Sequence, residues 1–127
     1  MPVVRISLRR GKSTVARHAI ADGVHRALVK TMEVPEGDRF HVITEHDTEG
    51  MIYDPDYLGI RRTDDVVFAQ IFLRRGRTAE MKKALYRDIV ANLGRDPGLR
   101  PQDILIVLVE NDLVDWSFGN GEAQYLP

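Results

Sequence analysis

Polar and apolar residues alternate from the first positions of the chain. Arg5 and Ser7 separate Val4, Ile6 and Leu8, which predicts a half-buried strand over residues 3–8. Arg9-Arg10-Gly11-Lys12 breaks this run. Ser13 then suits the cap of a helix in which Ala16, Ala19, Ile20, Val24, Ala27 and Leu28 recur at steps of three and four, reaching about Met32. Turn chemistry at Glu33-Val34-Pro35-Glu36-Gly37 leads into a second strand over residues 39–44, with Phe40 and Val42 on one face. From His46 to Asp65 the chain is polar and broken by Gly50, Pro55 and Gly59, a long excursion with one short helical turn. Val66 to Leu73 is apolar enough for a strand buried on both faces, and it ends in Arg74-Arg75-Gly76-Arg77. Thr78 caps a second helix carrying Met81, Ala84, Leu85, Ile89, Val90 and Leu93, which stops near Gly94 and Pro97. Residues 104–109 form the fourth strand.

The second half repeats the first at an offset of 65 residues without gaps. Leu8-Arg9-Arg10-Gly11 falls on Leu73-Arg74-Arg75-Gly76, Lys12 on Arg77, Ser13 on Thr78, Asp38 on Asp103 and Glu45 on Glu110. The pattern predicts an α/β fold: a tandem duplicated β-α-β unit forming a four-stranded sheet with two helices on one face. One domain spans residues 1–127, with repeat halves at about 2–45 and 67–110. The strands are apolar on both faces, so the face without helices is expected to pack against copies of the same subunit. The tail departs from the repeat. Trp116 and Phe118 share one side of an extended stretch, Asn120-Gly121 is a turn signal, and residues 123–126 are expected to return as a short strand, making a C-terminal hairpin.

Composition narrows the chemistry. The 18 Lys and Arg against 19 Asp and Glu leave a net charge of -1, which gives no broad field for nucleic acid or an anionic membrane. Cysteine is absent, which removes disulfides, thiolate metal sites and a cysteine nucleophile. No apolar run approaches the ~20 residues of a membrane-spanning helix and no secretory pattern is present, so a soluble cytoplasmic protein is expected. His18, His25, His41 and His46 lack ligand spacing, and no metal site is expected. Gly11 and Gly76 precede helix caps without a full phosphate-loop signature.

One group stands out. If Met1 is removed, Pro2 carries a free secondary amine, able to act as a base when neutral, as a proton donor or electrostatic catalyst when protonated, and as a nucleophile towards carbonyls. An ordinary α-amino group titrates at roughly 8, so neighbours decide its charge at neutral pH. Arg75 and Arg77 supply planar donors for a carboxylate, or else end a strand in solvent. Asp38 either serves chemistry or caps the turn into its strand, the role expected of Asp103.

A Pro2 start followed by a duplicated strand-helix-strand unit resembles the tautomerase superfamily over the whole chain. Asp38-Arg39-Phe40, Arg75-Gly76-Arg77-Thr78 and Trp116-Ser117-Phe118-Gly119 are most similar to its malonate semialdehyde decarboxylase branch. The resemblance implies a cofactor-independent, homotrimeric enzyme acting on a small carboxylate-bearing oxo acid. It implies Pro2 as the catalytic amine, Asp38 as an essential carboxylate, Arg75 and Arg77 as the substrate-carboxylate grip, and Trp116 and Phe118 as an apolar wall. Gly76 stands where the branch has proline, and Arg74 is an extra basic neighbour. Decarboxylation of malonate semialdehyde or a similar 3-oxo acid leads, with Pro2 either protonated or forming an iminium. The alternative is keto-enol tautomerisation of 2-oxo acids such as phenylpyruvate, with hydration of unsaturated or halogenated acids as a side reaction.

Overall fold

The computed structural model describes residues 1–127. Strand β1 (Val3–Arg9) pairs in parallel with β2 (Phe40–His46), and β3 (Val67–Arg74) pairs in parallel with β4 (Ile104–Asn111). β1 and β3 run antiparallel at the centre, giving the order β2-β1-β3-β4. Helix α1 (Thr14–Met32) joins the first parallel pair and α2 (Ala79–Arg95) the second.

The duplication extends to strand register, helix caps and ion pairs. Val3 faces Phe40 and Phe68 faces Leu105, the same register in each half. The Ser13 side chain accepts from the Ala16 amide and Thr78 from that of Met81, so both helices start on matching caps. Arg17 reaches Glu45 at 2.6 Å and Lys82 reaches Glu110 at 2.7 Å, repeat partners tying each helix to its outer strand. Gly11 and Gly76 sit at φ +125° and +124°, a region costly for other residues, and they turn each strand into its helix.

One face of the sheet carries Val4, Ile6, Leu8, Val67, Ile71 and Leu73, all nearly inaccessible to water and packed with Val24, Leu28, Leu85, Ile89 and Leu93 of the helices. Burying one such side chain contributes roughly 1.5–3 kcal/mol. The opposite face exposes Phe40, Val42, Leu105, Val107 and Val109. No helix is long and apolar enough to cross a membrane.

The helices meet where the repeat breaks down. The Asn92 side chain, 5% exposed, donates to the Gly23 carbonyl at 2.9 Å. A Cβ on Gly23 would lie 2.6 Å from Leu93 Cδ1 and 3.3 Å from Asn92 Cβ.

The expected C-terminal hairpin does not form. After β4 comes a single 3-10 turn at Leu113–Asp115, and no strand follows. Gly119, Asn120 and Gly121 all have positive φ, and Gln124 folds back to bond the Phe118 amide and the Gly119 carbonyl, both at 2.8 Å. The side chain of Gln124 thus satisfies the groups a return strand would have paired. The long excursion holds its one helical turn, at Tyr57–Gly59.

Gly23→Val is expected to lower stability by roughly 1–3 kcal/mol, because Leu93 is fully enclosed and cannot yield space. Urea denaturation checks this, and an unchanged midpoint would mean the helices do not pack through Gly23.

Candidate active site

The amino terminus enters the molecule beside the turn that leads into β2. Met1 and Pro2 are both buried, and the Met1 ammonium is paired with Asp38 Oδ2. In this chain the Pro2 nitrogen lies within the Met1–Pro2 peptide bond, so the amine that meets Asp38 is that of Met1. Asp38 is held by its own turn, where its amide donates to the Pro35 carbonyl at 3.0 Å. The turn is fastened to α1: His25, 8% exposed, donates from Nε2 to the Glu36 carbonyl at 2.8 Å, which fixes its tautomer. His41 stands edge-on to His25, and burial, with Arg39 and His25 nearby, pushes it down to about 4.

Asp38 and its repeat partner Asp103 do related work with different outcomes. Asp103 is fully buried and accepts from the Thr63 amide at 2.6 Å and the Thr63 hydroxyl at 2.8 Å. It anchors the approach to β3 instead of capping the turn into β4, which corrects the sequence expectation. Asp38 likewise meets the approach to β1, but there it meets a charged amine.

The cations of the β3–α2 loop set the potential at that amine. Burial first, then Arg77 and Arg74, push it down from 8 to about 5, while the contact with Asp38 favours the charged form. Arg77 is braced by backbone oxygens, donating to the Arg74 carbonyl at 3.1 Å and the Met32 carbonyl at 3.2 Å. Arg75 is 62% exposed and its Nε donates to Asp112 at 3.1 Å. The loop borders a cavity of about 220 Å³ lined by Met32, Glu33, Arg74, Arg75 and Arg77.

An aromatic cluster stands at the same end. Trp116 and Phe118 stack with ring centres 5.5 Å apart, and Trp116 is oriented by a bond from its indole nitrogen to Asn111 at 2.6 Å. Phe118 also meets Phe40 at 5.9 Å and Tyr125 at 5.1 Å. Burial raises the Tyr125 hydroxyl while Arg74 and Arg77 oppose it, so Tyr125 joins the aromatic cluster to the cations. Tyr125 is absent from the sequence-based set because only the Gln124-closed loop brings it back; Asn120-Gly121 was its one local signal. No group of three or more His, Asp or Glu side chains is placed to hold a metal ion.

Profiles of the family described as "Tautomerase enzyme" match residues 38–119 and residues 2–61. The chain belongs to the tautomerase family. A relative named "Probable tautomerase YusQ", from Bacillus subtilis (strain 168), is 40% identical over 99% of both chains. Two solved structures of malonate semialdehyde decarboxylases superpose on this chain with TM-score 0.91. One, inhibited by 3-bromopropiolate, is 40% identical and covers 97% of this chain and 93% of its own. The other is 32% identical, covering 97% and 95%. A fused 4-OT symmetric trimer, 19% identical over 94% of each chain with TM-score 0.78, shares the fold.

The electrostatics give an expected ordering for the terminal amine. Asp38→Asn lowers its pKa further, because the carboxylate that favours the cation is gone, and Arg77→Gln raises it, each by about one unit or more. NMR titration of the amine measures both. Equal values in the two variants would show that neither side chain faces it.

Proposed function

We propose that this tautomerase-family chain decarboxylates malonate semialdehyde or a similar small 3-oxo acid through the amine of Pro2, freed by removal of Met1. The reading is carried by one juxtaposition: a buried amino terminus contacts Asp38 beside a cavity bordered by arginines. Similarity at 40% identity and TM-score 0.91 to a malonate semialdehyde decarboxylase supports it.

The chemistry follows from charge. The carboxylate end of the substrate sits against the arginines of the β3–α2 loop and the carbonyl oxygen against the Pro2 ammonium. The carbon–carbon bond to the carboxylate breaks, its electron pair moves into the carbonyl to give an enolate, and carbon dioxide leaves. A proton then adds to the carbon, giving an aldehyde. Enolate charge appears only as the bond breaks, so an ammonium hydrogen-bonded to that oxygen stabilises the transition state more than the substrate. Asp38 favours the ammonium, and the Trp116–Phe118 wall excludes water from a carboxylate that departs neutral. An iminium formed by Pro2 performs the same electron withdrawal covalently. The uncovered sheet face, with Phe40, Val42, Leu105, Val107 and Val109 exposed, is suited to burial against two further copies in a homotrimer.

A second reading is favoured by the burial of the chain start and by the Arg74 and Arg77 cations near it, both of which work against a charged amine: a neutral Pro2 would shuttle protons in the keto-enol tautomerisation of a 2-oxo acid such as phenylpyruvate.

The test uses protein whose mass shows Met1 removed. Malonate semialdehyde is expected to yield aldehyde and carbon dioxide, with Pro2→Ala reduced roughly 10²–10⁴-fold and Asp38→Asn also impaired. Turnover of phenylpyruvate alone would replace the first reading with the second, and full activity in Pro2→Ala would sink both. In the decarboxylase reading, kcat/KM falls as pH rises through the pKa of the free Pro2 amine, whereas kcat persists to higher pH because bound carboxylate screens the arginines.

A further inference from the structure

Two imidazoles stand where the repeat has hydrocarbon. In the 65-residue register His25 of α1 falls on Val90 of α2, and His41 of β2 falls on Ile106 of β4. Val90 and Ile106 are half-buried between helix and sheet, as an apolar pair in that layer should be. His25 and His41 fill the corresponding space with ring centres 5.9 Å apart and planes at 72°. They do so at a cost, because Nδ1 of each ring is buried without a hydrogen-bond partner. Packing alone does not call for that exchange, since the second half of the chain fills its layer with carbon.

What the exchange supplies is a donor aimed at the turn before β2. His25 Nε2 donates to the Glu36 carbonyl at 2.8 Å. One helical turn earlier on the same face of α1, Asp22 binds Arg39 at 2.5 Å. Glu36 and Arg39 bracket Asp38, so α1 grips the chain on both sides of the carboxylate that meets the amino terminus. The repeat has neither bond. Arg87 and Ile104 stand in the register of Asp22 and Arg39, and Val90 has no donor for the Pro101 carbonyl, which accepts from the Ile104 amide instead.

The difference follows the fate of the two aspartates. Both turns close alike, with the Asp38 amide donating to Pro35 and the Asp103 amide to Arg100, each at 3.0 Å. Asp103 needs nothing more, because its fully buried carboxylate is fastened to Thr63 by two hydrogen bonds. The Asp38 carboxylate meets only the mobile end of the chain, so its place is set by the backbone on either side. Of the two brackets the buried one governs, because the Asp22–Arg39 pair is about half exposed and such pairs contribute little. We propose that His25 is a positioning residue for Asp38, holding the Glu36 carbonyl so that the carboxylate stays against the terminal amine, with His41 packing the His25 ring into place. Burial, with Arg39 and His25 nearby, pushes His41 down to about 4, so the ring beside His25 is uncharged at neutral pH. This deepens the proposed function and rests on it only for the reaction that Asp38 serves; the position of the carboxylate is read without turnover.

The terminal amine reports that position, because Asp38 favours its charged form. NMR titration of the amine in the full chain is the measurement. His25→Val combined with His41→Ile installs the pair that the second half already uses. This double variant is expected to melt no lower than the unmutated chain while the amine pKa falls by about half a unit or more, in the direction of Asp38→Asn. His25→Leu alone lowers it in the same way, and His25→Gln, which keeps an N–H donor, holds the unmutated value. In an Asp38→Asn background His25→Leu shifts the amine no further. An unmoved amine in the double variant overturns the assignment, as do equal drops in His25→Gln and His25→Leu, or a further drop from His25→Leu once Asp38 is gone. A double variant that melts far below the unmutated chain would show that the histidines serve packing, and overturns it too. If the amine follows His25 as expected but protein lacking Met1 does not turn over malonate semialdehyde, the positioning stands and the decarboxylase reading fails.

Discussion

Arg5 faces Gln70 across the antiparallel pair β1–β3, and these two residues are also partners in the 65-residue repeat. A residue paired with its own repeat copy marks the position of a two-fold axis, so the register of this one pair relates the two halves. Val3 opposite Phe72 and Ser7 opposite Phe68 are then the same contact seen from either side. Antiparallel pairing sends β1 and β3 in opposite directions, and the two Arg-Arg-Gly loops therefore open at opposite ends of the central strand pair. A slip of one residue would turn Val4, Ile6 and Leu8 away from the helices, so the core enforces the register and the register places both loops.

Function enters where the two halves stop matching. In the second half the approach to β3 is chain, and Asp103 is spent on holding it through Thr63. In the first half the approach to β1 ends in an amine, and the matching carboxylate of Asp38 meets a charge. The loops diverge in the same way. Asp64 and Asp65 neutralise Arg9 and Lys12, whereas nothing of opposite charge is paired with Arg74 or Arg77. Arg74 and Arg77 beside a titratable amine, with Glu33 at the same cavity but in no ion pair with them, leave cations that an incoming carboxylate can engage.

Much of this was legible in the sequence because it depends on local rules. The caps at Ser13 and Thr78, the strand periods and the repeat are short-range signals, and each appears in the structure. What escaped depends on partners far along the chain. Arg75 is drawn aside by Asp112, Asp103 by Thr63, and α1 crosses α2 at Gly23 and Asn92, a contact with no counterpart in the repeat. Tyr125 and the missing hairpin share one cause. A return strand needs a sheet edge to pair with, and Gln124 closes the loop before any edge is reached.

The charge of the amine is where the two functional readings meet. With no anion at the arginines, burial and two cations lower the pKa of the Met1 amine and favour its neutral form. A carboxylate seated on those arginines cancels their effect on the amine. One unit charge at about 6 Å and an effective dielectric of about 20 is worth roughly 3 kcal/mol, about two pKa units. A shift of that size moves a depressed amine back towards neutrality. The substrate would then supply the charge that protonates its own catalyst. A 3-oxo acid keeps that negative charge until carbon dioxide leaves, so the ammonium is favoured for as long as the enolate oxygen needs it. A pocket that stays basic without substrate and becomes acidic with it suits decarboxylation better than proton shuttling, which needs the amine to accept a proton while the carboxylate remains bound.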